Sequence, residues 1–359
     1  MEKSYAMNSG AGPLSYAQNS SYQRGIMEAA KVMLNKEINM KLDIQKLSLT
    51  ASEPLRIADL GCSSGPNAIL AMQNIVDAIE NKFQTNEKSH KSPELQVYFN
   101  DQVGNDFNSL FGLFPFEKKY YASGVPGSFH GRLFPSSSLH FVHSSCALCW
   151  LSNVPKGVED KADPAWNHGR IHYTGAPKEV FEAYSDQFCK DIELFLQARA
   201  KEIAPGGVMA LVVPAVPDVM SYPQITTGSE FELVGSCLMD MAKMGIVSEE
   251  KIDTFNLPIY YTSPKELQGI IERNGCFSIE KLDILDIPKQ HITMPDLKQR
   301  ALYMRAVLEA LIEKHFGVEI IDQLFEIYAT KLSKSPIFLN PDDQKMTALF
   351  VLLKPNENK

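Results

Sequence analysis

Residues Ile57-Ala58-Asp59-Leu60-Gly61-Cys62-Ser63-Ser64-Gly65-Pro66-Asn67 constrain this chain more than any other stretch. An apolar run from Leu55 to Leu60 enters a glycine turn. The turn enters a segment whose apolar residues, Ala68, Ile69, Met72, Ile75, Val76 and Ile79, recur at helical spacing. Strand, glycine loop and helix in that order form the first unit of a nucleotide-binding α/β fold. Gly61 and Gly65 allow a sharp turn and a close approach of backbone to ligand. Pro66 suits a first helical turn, where its missing N–H costs nothing. Asp59 brings a carboxylate to the end of the strand.

A dinucleotide fingerprint has three glycines, G-x-G-x-x-G, and an acid about 20 residues further on. Here the spacing is G-x-x-x-G with no third glycine. The next strand, Leu95 to Phe99, ends at Asn100-Asp101, where an acid can hydrogen-bond both ribose hydroxyls. This pairing favours S-adenosylmethionine (SAM) over NAD, which stays the competing reading of the loop itself.

A formal net charge of −8 over 359 residues disfavours a nucleic-acid groove, which is usually basic. No apolar run reaches the roughly 18 residues of a membrane span. The first residues lack the apolar core of a signal peptide, and six scattered cysteines make no disulfide framework. The expectation is a cytoplasmic protein with a small-molecule partner, no nucleic acid and no membrane.

The first fifteen residues are Gly-, Ser- and Asn-rich and read either as a disordered tail or as a lid, since Ser15 to Gln23 leads into a helix through Ile26, Ala30 and Leu34. Residues 81–93 are a polar loop. A helix is expected over 106–113, a third strand over 120–123 and a fourth over 139–145. The fourth strand ends in Cys146-Ala147-Leu148-Cys149-Trp150, at the carboxyl end where open α/β sheets bind ligands. The Cys-x-x-Cys spacing allows a redox or zinc reading, but no second ligand pair accompanies it. Pocket lining and core packing are the other two readings. An amphipathic helix follows over 178–203, broken by Pro205-Gly206-Gly207, and strand five over 208–213. Helices then dominate from 214 to 334, at about 231–244, 263–274, 297–316 and 319–332, with one short strand near 278–286. The methionines of 220–244 read as cap core. The tail from Lys345 to Leu353 is again a strand. The fold expected is α/β: a Rossmann-like, mainly parallel doubly wound core (1–213 and 335–359) carrying an α-helical cap (214–334).

Together these segments resemble the plant SABATH methyltransferases, SAM-dependent enzymes that methylate carboxyl groups of small acids or ring nitrogens of xanthines. The resemblance rests on Ser15-Tyr16-Ala17, Asp59 to Asn67, Asn100-Asp101, Gly104-Asn105-Asp106-Phe107-Asn108, Pro126-Gly127-Ser128-Phe129, Gly131-Arg132-Leu133-Phe134-Pro135, His143-Ser144-Ser145, Trp150-Leu151-Ser152 and Phe255-Asn256-Leu257-Pro258. It implies a SAM-binding Rossmann-like core with a helical cap and a homodimer. It places SAM contacts on Tyr16, Gln23, Asp59, Cys62, Asn67, Asp101, Ser128, Phe129, Ser145, Cys146 and Ala147. Asp101 would hold the ribose, Ser128 and Phe129 would bracket the adenine, and Asp59 and Asn67 would meet the amino-acid end.

On the acceptor side, the resemblance gives Gln23 and Trp150 the role of hydrogen-bonding the substrate carboxylate, and makes Tyr260 a pocket aromatic. A lysine of the salicylate enzyme is Asn8 here, a pocket tyrosine is Cys146, and a methionine or histidine position is Cys149. The pocket is therefore expected to lack an aromatic wall and to suit a longer or more aliphatic acid, such as a terpenoid acid. Some relatives also carry a magnesium or similar ion. The matching positions are Asn167, Asp253, the Phe255 carbonyl and Asn256, all oxygen donors, read as a structural site at most or as residues that simply cap and turn the chain.

Methyl transfer to a carboxylate needs no general base, because an acid of pKa near 4 is ionised at neutral pH. His143 accordingly reads as a packed strand residue rather than a base. The function expected is transfer of the SAM methyl group to the carboxylate of a small acid, giving a methyl ester. The alternatives are N-methylation of a heteroaromatic ring and a non-catalytic small-acid binder.

Overall fold

The computed structural model describes residues 6–47, 49, 53–85, 92–218, 226–287, 296–339 and 347–356. Residues 86–91 of the expected polar loop, the first five residues of the N-terminal segment, Met220, and Lys345-Met346 of the last strand lie outside them.

Seven strands form one sheet: β1 (Leu55–Leu60), β2 (Leu95–Asp101), β3 (Tyr121–Pro126), β4 (Leu139–Ser145), β5 (Ile203–Ala215), β6 (Phe277–Ile284) and β7 (Thr347–Pro355), in the order 3-2-1-4-5-7-6. Strands β1 to β5 are parallel, and β7 runs antiparallel to both β5 and β6. β1 and β4 are buried at almost every position, as a parallel sheet covered on both faces requires. That is why they read as unbroken apolar runs.

The strand order reverses between β1 and β4, so the crevice at their carboxyl ends is the natural ligand site. The helix Pro66–Gln84 starts there, with Gly65 as N-cap and proline in its first turn. It packs its apolar stripe (Met72, Ile75, Val76, Ile79) on the sheet. The helix Ser21–Lys41 lies beside it, joined through the Asn35–Asn74 amide pair at 3.3 and 3.0 Å. The other face carries the helices Lys178–Glu202 and Pro264–Asn274.

Within the span read as a cap, the helix Pro264–Asn274 packs on the sheet layer and β6 is an edge strand of the sheet, paired along its length with β7. The helices standing apart from the sheet are Thr226–Lys243, Leu297–Phe316 and Ile321–Leu332. They share a core of Val234, Leu238, Met241, Met304, Leu308, Leu324 and Tyr328. A buried ion pair, Arg300 Nη1 to Glu230 Oε1 at 2.6 Å, ties the first of these helices to the second. No helix among the described residues is long and apolar enough to cross a membrane.

Candidate active site

The loop after β1 is built for close approach. Gly61 has a φ of +79°, and a Cβ there would stand 2.3 Å from Ala147 Cβ. Two non-glycine residues, Ser63 (φ 56°) and Cys146 (φ 58°), also occupy the left-handed region. Such strain costs about 1–3 kcal/mol per residue and persists where surrounding bonds over-determine it. Here the Cys146 N–H donates to Val212 O at 2.9 Å, and the Ser63 N–H donates to Asp101 Oδ2 at 2.7 Å. The Gln102 N–H donates to Asp101 Oδ1 at 2.7 Å. Asp101 thus staples the end of β2 to the glycine loop. Burial pushes its carboxyl up to about 6, against the downward pull of those two N–H groups.

Asn100, quoted in the sequence but given no role there, completes the frame. Its carbonyl accepts from Gly61 N and Cys62 N, both at 2.9 Å. Its amide donates to Val125 O (2.8 Å) and Gly127 O (2.9 Å).

These residues open onto a cavity lined by Met7, Tyr16, Gly61, Ser63, Asp101, Gln102, Asn105, Phe129, Ser145, Cys146, Ala147 and Trp150, with about 510 Å³ of unfilled space including its mouth. Of the predicted residues, the structure brings Tyr16, Asp101, Phe129, Ser145, Cys146, Ala147 and Trp150 to this one cavity. Burial pushes the Cys146 thiol up to about 12 and raises that of Cys149 further, so both stay protonated. No group of three or more His, Cys, Asp or Glu suited to a metal occurs among the described residues. A zinc or thiolate reading of Cys-x-x-Cys has no support.

The loop after β3 is held from behind. Arg199, fully buried, donates to Phe129 O (2.7 Å), Gly131 O (2.8 Å) and Glu202 Oε2 (2.7 Å). Glu202 Oε1 accepts from Leu133 N (2.6 Å) and Phe134 N (2.9 Å). Both come from the last turns of the helix Lys178–Glu202. Nothing local in the sequence pairs them with a loop almost seventy residues earlier.

Residues 6–20 reach the cavity through Met7 and Tyr16. Met7 lines it, Asn8 N donates to Ala306 O at 3.1 Å, and Tyr16 N donates to Asn8 O at 3.0 Å. Gly10 N donates to Asp106 Oδ2 at 3.2 Å. The segment therefore bridges the helix Leu297–Phe316 and the loop that follows β2. Asn67 joins this latch rather than the cavity wall, donating to Ser20 O and Oγ, both at 3.0 Å.

The family model for SAM-dependent carboxyl methyltransferases matches residues 2–356. The chain belongs to that family. It is 42% identical to loganic acid O-methyltransferase of Catharanthus roseus over 99% of this chain and 95% of that one. It is 38% identical to farnesoic acid carboxyl-O-methyltransferase of Arabidopsis thaliana, over 92% and 93%. The solved structure of a loganic acid methyltransferase with S-adenosylhomocysteine (SAH) superposes with a TM-score of 0.92 at 43% identity, covering 98% of this chain and 99% of that one. The fold and the SABATH assignment made from the sequence hold. The enzyme is a SAM-dependent carboxyl methyltransferase with SAM as methyl donor. A glycine no side chain can replace, two left-handed residues and a stapled carboxylate make a cradle that fits that cofactor.

Other predicted positions of the methyltransferase lie around the cavity. Asp59 stands behind the loop, its Oδ1 2.7 Å from His143 Nδ1. Cys62 packs in the core, its Sγ 3.3 Å from Ser63 O. Ser128 Oγ accepts from His130 N at 3.4 Å. Cys149 sits behind Cys146, its Sγ 3.5 Å from Cys146 O. Gln23 Nε2 donates to the Tyr303 hydroxyl at 3.4 Å, and its Oε1 is buried without a hydrogen-bond partner.

Tyr260 corrects an expectation. It is buried against Tyr173, Phe181 and Phe188 on the opposite face, with its hydroxyl on Glu266 at 2.9 and 3.1 Å. Residues 258–262 are extended, bridging Trp150 through Ile259 and Ala215 through Thr262. In such a segment neighbours point oppositely, and Tyr261 is the one that faces Cys149, Tyr303 and Tyr22 electrostatically. Tyr22 and Tyr303 meet edge to face at 6.0 Å, and the Tyr303 hydroxyl accepts from Gln23 Nε2. These rings come from helices on which the quoted motifs are silent.

Of the four predicted metal positions, Asn167 and Asn256 touch each other and Asp253 reaches the adjacent residues 168 and 169. Asn167 Nδ2 donates to Asn256 Oδ1 (2.7 Å) and His172 O (3.2 Å). Asp253 Oδ1 accepts from Gly169 N at 2.9 Å and lies 3.2 Å from His168 Nδ1. Asn167 Oδ1 is buried and has no hydrogen-bond partner.

Proposed function

We propose that this methyltransferase esterifies a non-planar, terpenoid-type carboxylic acid, with Gln23 and Trp150 aiming one carboxylate oxygen at the methyl group. The observation that carries the reading is that Trp150 lines the same cavity as Asp101, Ser63 and Phe129. The acceptor-side indole and the cofactor-side carboxylate thus open onto one space. Bound SAM supplies an electrophilic sulfonium methyl.

What the chain supplies is alignment and exclusion of water. Asp101 accepts the ribose hydroxyls, the ring of Phe129 covers the adenine, and Asp59 meets the amino-acid end. Trp150 and Gln23 donate neutral hydrogen bonds that orient the acid without quenching it. Turning the Gln23 amide by half a turn presents Nε2 at the buried point now held by Oε1 and gives Tyr303 an acceptor. The residues lining the cavity include the titratable groups Tyr16, Asp101 and Cys146. Burial raises the pKa of all three, and Asp101 is committed to the loop. A lining without a free base among the described residues suits an acceptor already ionised at neutral pH and does not suit a ring N–H that must lose a proton. The terpenoid acids in the names of two relatives support the substrate class.

Trp150→Phe keeps the packing and removes the donor. It is expected to lower kcat about 10-fold to 100-fold, the scale of losing alignment, with SAH affinity within threefold of wild type by calorimetry. Wild-type turnover would remove Trp150 from this role. Ranking kcat/KM over terpenoid, jasmonate-like, indolic and benzoic acids tests the class: a planar aromatic acid as best substrate contradicts it.

We also assign a structural cation to the second cluster, held by Asn167 Oδ1, Asp253 and the Phe255 carbonyl, joining residues 167–172 to 253–256. The orphan Asn167 oxygen supports this, since a buried acceptor without a donor is costly. Magnesium is expected to raise Tm, EDTA to lower it, and Asn167→Ala to abolish the difference, with kcat unchanged. Equal Tm values with and without the metal contradict the assignment.

A further inference from the structure

Asp59 and His143 stand opposite each other, in register, on β1 and β4. They lie at the point where the strand order reverses. Oδ1 and Nδ1 are 2.7 Å apart, and the residues are 4% and 2% exposed. Their neighbours along the strands are buried: Ile57, Ala58, Leu60, Phe141 and Val142 are apolar, and the one polar neighbour, Ser144, donates to Leu60 O at 2.8 Å. Two polar side chains in such a place stabilise the sheet no better than an apolar pair of the same size, and burying them carries a desolvation cost. Their presence asks for a use. β1 runs directly into Gly61, so Asp59 sits immediately beneath the cofactor loop. His143 does not line the cofactor cavity. It lines a different one, between the helices Ser21–Lys41 and Pro66–Gln84, with Met27, Leu34 and Leu70.

We propose that His143 is a positioning residue for the cofactor. It holds Asp59 Oδ1, fixes the carboxylate plane, and leaves the second oxygen for the ammonium group at the amino-acid end of SAM. The inference rests on the reading of Asp59 given above. A buried carboxylate with one oxygen engaged has one orientation left to offer, and the ammonium meets a preformed acceptor rather than one that must rotate. The outer partners of metal-ligating residues change affinity about 10-fold to 100-fold when removed, and the same scale is expected here.

Geometry supplies the test. The side-chain nitrogen of asparagine can occupy the place of histidine Nδ1, whereas leucine has no donor and glutamine carries its amide one atom too far. Calorimetry on the full-length protein would compare SAH with methylthioadenosine, which keeps adenine and ribose but lacks the amino-acid end. His143→Leu and His143→Gln are expected to weaken SAH at least tenfold and to leave methylthioadenosine within twofold. His143→Asn is expected to recover SAH binding to within threefold of wild type. The glutamine variant keeps the test open if the leucine variant does not fold. Equal losses for both ligands, unchanged SAH affinity, or an asparagine variant no better than leucine would overturn the proposal. An Asp59→Asn protein that binds SAH as wild type does would instead remove the role of Asp59 itself, and the proposal with it.

Discussion

Arg199→Leu is expected to destabilise the enzyme by about 3–5 kcal/mol, the cost of leaving a buried carboxylate without its partner. Glu202 is fully buried with Arg199, so neither charge can turn to water. The loss spreads to the loop, because Phe129 O and Gly131 O lose their donors. SAH affinity should fall with stability, since Phe129 lines the cavity proposed for the cofactor. Glu202→Gln keeps one oxygen for Leu133 N and Phe134 N and should cost less. The double variant Arg199→Leu/Glu202→Leu should be no less stable than Arg199→Leu alone, because the unpaired charge is gone. Urea unfolding of Arg199→Leu, Glu202→Leu and the double variant, with unchanged m-values, reads this coupling. Simple additivity of the two single losses would show that the residues do not act as a pair.

Asp101→Ala is expected to weaken SAH binding by at least roughly 100-fold, from two charge-assisted hydrogen bonds at about 1.5 kcal/mol or more each. It also leaves Ser63 N and Gln102 N without their acceptor. The raised pKa adds a pH signature. With the carboxyl near 6 in the free enzyme, the ionised acceptor is present at pH 8 and is lost as pH falls. SAH affinity should be flat above about pH 7 and drop up to tenfold per unit below about pH 6. Asp101→Asn should abolish the slope. The stability term has the opposite sense. A pKa raised on folding means burial favours the neutral acid, so its contribution is full below about pH 4 and lost as pH rises through about 6. A wild-type SAH affinity independent of pH between 5 and 8 would contradict the role given to Asp101.

What the sequence disclosed and what it withheld divide along physical lines. β1 and β4 were legible because a doubly covered parallel strand is apolar throughout, and the glycine loop because its geometry demands glycine. The helix Leu297–Phe316 was read to its last residue, Gly317 following as its C-cap at φ 103°. Pro205-Gly206-Gly207 read as a break before β5, yet β5 begins at Ile203 and runs through it. Gly206 has a φ of +85°, and a Cβ on Gly207 would meet His140 O at 2.8 Å. The register against β4 shifts at that point, so the glycines mark an irregularity inside the strand. The facing of Tyr260 was not legible because the parity of an extended segment is set by what it bridges, here Trp150 and Ala215. The Arg199–Glu202 clamp holds a loop almost seventy residues earlier, and the Tyr22–Tyr303 contact joins two helices far apart in the chain. No local pattern encodes such pairs.

Methyl transfer to a carboxylate oxygen is the claim on which the site reading depends. The direct measurement incubates the enzyme with methyl-tritiated SAM and a panel of carboxylic acids, together with xanthines and nicotinate, and treats the extracted product with base. Label released as methanol from the product of a terpenoid-type acid is the result expected. Label retained in a base-stable product formed from a xanthine or nicotinate, with none in any ester, would contradict the account.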